Sequence, residues 1–109
     1  MSLFALLVLV HLLADYPLQG DFMAKAKNPS TPIPGVPWYT LMGSHAFIHA
    51  AFVHLLTGSA ICGAVEAGAH FAIDYAKCRN LIGYNADQLL HIACKLGYVL
   101  FLGAFPHAD

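Results

Sequence analysis

The chain has 109 residues, enough for a single domain. Apolar residues make up 59% of it and charged residues only 10%, against roughly a quarter charged in a soluble domain. So few charges cannot give four helices a polar face each, and a lipid bilayer is the expected solvent. A formal charge of −1 leaves no basic footprint, so nucleic acid is not an expected partner.

The first hydrophobic segment runs from about Ser2 to Tyr16 and ends where Pro17 removes a backbone donor and clashes with the preceding turn. It lacks the basic leader and small-residue cleavage site of a signal peptide. Leu18 to Lys27 reads as one or two amphipathic turns, with Leu18, Phe22 and Met23 apolar and Asp21, Lys25 and Lys27 wet, which fits a segment lying in a membrane interface. Four prolines and a glycine make Asn28 to Pro37 an extended loop. The second segment starts at the interface-type aromatics Trp38 and Tyr39 and runs to about Thr57. A tight Thr57-Gly58-Ser59 turn leads to the third, Ala60 to Cys78, whose Gly63, Ala64, Ala67, Gly68 and Ala69 permit close helix approach. Arg79 to Tyr84 is a polar turn, and the fourth segment begins near Asn85 or Ala86 and ends about Ala104 or Phe105, before Pro106.

The expected fold is therefore all-α: one helical membrane domain over residues 1–109, a four-helix up-down-up-down transmembrane bundle. An interfacial segment and a Pro-rich loop separate its first two helices. The segments approach the ~20 residues that span a bilayer. Lys25, Lys27, Lys77 and Arg79 all fall in the first and third connections. By the positive-inside tendency those loops face the cytoplasm of a bacterial inner membrane and both termini lie outside.

Ionisable residues recur within these segments at helical spacing. His11 and Asp15, His45 and His49, His70 and Asp74, and Asp87 and His91 are each four apart, one above the other on a helix face. Chain direction sharpens the pattern. Histidine precedes aspartate in the first and third segments, whereas the order is reversed in the antiparallel fourth. The levels therefore match, giving one ring of His11, His49, His70 and His91 stacked on another of Asp15, His45, Asp74 and Asp87, one turn or ~5.4 Å away. A turn further outward Glu66 and Lys95 share a level and are expected to form an ion pair. His54 lies off this face, His107 is terminal, and Lys77 and Arg79 read as headgroup anchors. Gln19 and Gln88 lie near the inner ring and could orient ligands. Cys62, Cys78 and Cys94 form no CxxC pair and read as small hydrophobes.

Three chemistries suit such rings. The eight residues His11, Asp15, His45, His49, His70, Asp74, Asp87 and His91 could ligate a divalent transition metal such as Zn, Mn or Fe; a metal with an open position would then support hydrolysis, with aspartate as base. They could relay protons or cations. Or the pairs could be structural, gluing the helices of a small interaction module, with the glycine-rich third segment as the face for a homo-oligomer.

The stretch His11-Leu12-Leu13-Ala14-Asp15-Tyr16-Pro17-Leu18-Gln19 followed by Asp21, Met23, Ala24 and Lys27, then His45 and His49, His70-Phe71-Ala72-Ile73-Asp74 with Lys77, and Asp87-Gln88-Leu89-Leu90-His91, resembles a family of short bacterial and phage membrane proteins catalogued only as a domain of unknown function. The resemblance implies a helical integral membrane protein and carries no activity with it. The helical His-xxx-Asp pairs are more loosely similar to those of membrane-bound metal-dependent hydrolases.

Overall fold

The computed structural model describes residues 1–107 and 109. It contains five helices: α1 (Leu3–Asp15), α2 (Gly20–Ala26), α3 (Trp38–Thr57), α4 (Ala60–Cys78) and α5 (Tyr84–Ala104). Local signals set their ends. The Ser2 hydroxyl accepts from Ala5 N at 3.1 Å to cap α1, and Ser59 does the same for Cys62 N in α4. Gly58 closes α3 in the left-handed conformation (φ 68°), its N–H reaching His54 O. Pro34 and Gly35 (φ 78°) form a tight turn in the Pro-rich loop, closed by Val36 N donating to Ile33 O.

Helices α1, α3, α4 and α5 close into a ring, each touching the next in the order α1–α3–α4–α5–α1, without diagonal packing among the described residues. The interior along the axis is therefore filled by side chains from all four. The closest seam is α3 against α4, where Gly63 lies under His54 and the Ala50 carbonyl with no room to spare. Helix α2 stands apart: past Pro17 the chain bends 83° and α2 packs on α3 instead of extending α1. The piece expected to be amphipathic is thus a fifth helix, with Asp21 exposed as expected and one departure on its wet face. Lys25 is exposed whereas Lys27 is buried.

The burial pattern is inverted relative to a water-soluble bundle. Asp15, Lys27, Glu66, Asp74, Asp87 and Lys95 are buried, with His11, His45, His49, His70 and His91. Meanwhile Phe47, Leu55, Leu89, Leu100 and many other large apolar residues are exposed. Among the described residues no single helix is long and apolar enough to cross a membrane; only the bent pair α1 and α2 together meet that measure. The inward polar side chains themselves dilute the apolar character of α3, α4 and α5. Above the polar centre a small apolar cluster of Leu7, Val53, Cys62 and Tyr98 fills the axis.

Candidate metal centre

Each bundle helix delivers two stacked side chains to the axis, and the antiparallel order puts them level. His49 and His70 stack with ring centroids 3.7 Å apart, His70 and His91 at 4.1 Å, and His11 lies 4.9 Å from His91 and 5.2 Å from His49. That is the expected upper ring. Below it, Asp15 Oδ1 lies 3.0 Å from His45 Nε2, and Asp74 Oδ2 lies 3.6 Å from the same nitrogen. Asp87 joins through Gln88, whose amide donates to both Asp15 and Asp87 at 3.1 Å and whose carbonyl pairs with His11 Nε2 at 3.0 Å. All eight residues singled out by spacing are brought together, and all are buried. His54, expected off this face, is exposed, as are Arg79 and His107; Lys77 is half-buried.

The eight do not form one ligand set. Asp15, His45, His49 and His70 present atoms that all lie within 4.8 Å of one another; His11, His70 and His91 form a second such group, and Asp15, Asp87 and His91 a third. The first is the most developed. Asp15 Oδ1 stands 3.0, 3.0 and 3.7 Å from the Nε2 atoms of His45, His49 and His70. A tetrahedral ion with bonds of ~2.05 Å holds its ligands about 3.3 Å apart, so these separations bracket what such an ion requires. Among the described residues, the buried His49 Nε2 and His70 Nε2 make no well-directed hydrogen bond, His49 Nε2 despite lying 3.0 Å from Asp15 Oδ1, a state that suits imidazole lone pairs turned toward a cation.

The surroundings orient these groups. Glu66 Oε1 lies 3.2 Å from His70 Nδ1; a proton there commits Nε2 to being the acceptor that faces Asp15. Glu66 is held in turn by Lys95 Nζ at 2.5 Å and by the Tyr98 hydroxyl, which donates at 2.6 Å. The Glu66–Lys95 pair expected from matched levels is therefore present, with Tyr98 added. Tyr98 follows Lys95 by three residues, on the same face, and that spacing is visible in the sequence.

Asp74 belongs to none of the three groups and is paired with Lys27 instead. Lys27 Nζ donates to Asp74 Oδ2 at 2.7 Å across the α2–α4 gap. A signal for this existed. Lys25 and Lys27 are two residues apart, about 200° around a helix, and cannot share one wet face; Lys27 instead follows Met23 by one turn. The buried charges then sum unevenly: four carboxylates (Asp15, Glu66, Asp74, Asp87) face two ammonium groups (Lys27, Lys95). The core thus holds two more buried carboxylates than buried ammonium groups, an excess that a bound cation or a protonated imidazole would offset.

Cys62, Cys78 and Cys94 are all free, and only Cys62 is fully buried. No curated protein and no solved structure matches the chain. A family model does, across residues 3–103, which includes every residue of the centre. By that match the chain belongs to the family described as Protein of unknown function (DUF3307).

Proposed function

We propose that this chain is a multi-pass protein of the bacterial inner membrane whose bundle core binds one divalent transition metal (Zn, Mn or Fe) and uses it for hydrolysis. The observation that carries the metal is the convergence of three imidazole nitrogens on Asp15 Oδ1, two of them making no well-directed hydrogen bond among the described residues. An ion there would lower the pKa of a bound water and supply a nucleophile at neutral pH. The chain's own part is to hold the donors. Glu66 fixes the His70 tautomer, Gln88 ties His11 to Asp15, and the apolar layer of Leu7 and Val53 keeps bulk water from the outer side. Asp87, joined to the centre through Gln88 and 3.4 Å from His91 Nε2, is placed to accept a proton.

The membrane reading rests on the inverted burial. Buried charge costs least where it is paired or ligating, and the exposed apolar surface suits lipid. An aromatic group of Trp38, Tyr39 and Tyr75 (Trp38 to Tyr75, 5.6 Å) and the Tyr16–Tyr84 hydroxyl contact gather at the end of the bundle that holds Lys77 and Arg79. Aromatic and basic residues favour a membrane interface, and the orientation with both termini outside follows from that end being cytoplasmic. A continuous proton conduit is less favoured, because the polar column stops at the Leu7, Val53, Cys62 and Tyr98 cluster.

Elemental analysis of protein extracted gently in non-ionic detergent tests the reading. About one equivalent of a transition metal is expected, falling to background in His49→Ala and His70→Ala and retained in His54→Ala. Wild-type protein without metal, after incubation with Zn, Mn and Fe salts in turn, would overturn it.

A further inference from the structure

At the end of the bundle that holds Lys77 and Arg79 a polar cavity of about 500 Å³ opens between the loop after α2, the end of α4 and the start of α5. Its lining includes Lys27, Thr31, Asp74, Lys77, Gly83 and Tyr84. The cavity is adjacent to the core, because Asp74 lines it and also lies 3.4 Å from His91 Nε2, 3.6 Å from His45 Nε2 and 3.7 Å from His70 Nε2. Its charge is positive. Lys27 and Lys77 face one carboxylate, Asp74, which Lys27 already pairs with. Lys77 makes no ion pair among the described residues and stands over the Tyr84 ring at 5.0 Å. Helix α5 begins at this wall with no side-chain cap from Gly83; the Asp87 carboxylate of its first turn is engaged by Gln88 and His91 and does not line the cavity, so the helix start presents its N–H groups beside the lysines.

We infer that this cavity binds the phosphate group of a phosphorylated ligand, held by Lys77 and the start of α5, one carboxylate away from the metal centre. A tetrahedral polyanion suits donors that approach from separate elements, and lysine serves it as a point charge. The volume falls within the range of small-molecule sites and accommodates more than a bare anion. That the phosphorylated ligand is what the centre acts on rests on the hydrolase reading above; the binding itself does not.

The test uses the full chain as purified, with its metal content measured alongside, and two sources of the same chemistry. Calorimetry in non-ionic detergent titrates inorganic phosphate, and a second arm compares phosphatidylcholine vesicles with and without phosphatidic acid. Saturable binding of either supports the inference; a response to the vesicles alone assigns the phosphate to a lipid headgroup, and to inorganic phosphate a soluble one. Lys77→Gln should weaken binding by about tenfold or more, the loss of one charge-assisted contact, while Lys77→Arg and Lys25→Gln retain it. In wild-type protein, phosphate should slow maleimide alkylation of Cys78, which lines the cavity, and leave that of Cys94 unchanged. Unaltered Cys78 reactivity with no binding in either arm, or undiminished binding in Lys77→Gln, overturns the inference. Metal without phosphate binding would sink this inference alone; phosphate binding without metal would sink the metal reading alone.

Discussion

Lys95 Nζ lies 2.5 Å from Glu66 Oε1, with both side chains 1% exposed, and the same oxygen faces His70 Nδ1. The pair thus does two things at once: it neutralises charge inside the bundle, and it orients an imidazole of the candidate centre. Removing one partner of such a buried pair leaves an uncompensated charge. Lys95→Met should therefore destabilise the bundle by about 3–5 kcal/mol, read as a shift of the denaturation midpoint in detergent. Glu66→Gln added to Lys95→Met removes the stranded charge and should recover much of that loss. Additive losses in the double variant would show that the two residues are not coupled.

Outer hydrogen bonds to metal ligands typically carry 10–100-fold in affinity. Gln88 touches His11, Asp15 and Asp87 without being a candidate ligand itself. Gln88→Ala is expected to lower metal affinity by about that factor in a chelator competition, while Gln19→Ala, which frees only the Asp15 backbone carbonyl, has a smaller effect. Equal affinities for wild type and Gln88→Ala would mean that the metal sits away from Asp15.

The seam between α3 and α4 gives a packing test with a built-in control. A Cβ at Gly63 would meet His54 Cβ at 3.1 Å and Ala50 O at 3.2 Å, whereas one at Gly68 meets nothing within 4 Å. Gly63→Val should cost about 1–3 kcal/mol by forcing the helices apart. Gly68→Ala should be neutral or stabilise by up to about 1 kcal/mol, from the higher helix propensity of alanine. Thermal melts of the two variants decide it.

The levels of the centre were legible because helix geometry is rigid. A spacing of four fixes which residues stack, and chain reversal at Gly58 and between Asn80 and Gly83 fixes which stacks align. Segment ends were legible for a similar reason: Ser59 and Gly58 announce a cap and a stop, and α3 and α4 begin and end where those residues and the aromatic Trp38 place them. The partner of Asp74 was not legible in the same way. Lys27 reaches it from 47 residues away, through an 83° bend after Pro17, and a proline reports that a helix stops without reporting where the chain turns next. Only the angular mismatch of Lys25 and Lys27 hinted that one of them points inward. The division of the eight residues into overlapping groups likewise depends on side-chain distances that spacing does not contain.

Phe47 sits in the middle of α3, 72% exposed, on the side of the helix away from His45 and His49. If that surface faces hydrocarbon, Phe47→Arg places a guanidinium near the bilayer centre, at a cost of about 2.5–3.5 kcal/mol on insertion scales. The same substitution on a surface facing water would be close to neutral and would improve solubility. Wild-type protein should remain with the membrane fraction after alkaline carbonate washing, and Phe47→Arg should accumulate less and be extracted more readily. Lys25→Arg, at an exposed site in α2 at the basic end, controls for charge chemistry alone and should behave as wild type. Recovery of wild type and Phe47→Arg in the soluble fraction without detergent would overturn the membrane reading. It would leave the geometry around Asp15 untouched, because the convergence of His45, His49 and His70 on one carboxylate oxygen depends on the bundle interior and not on what surrounds it.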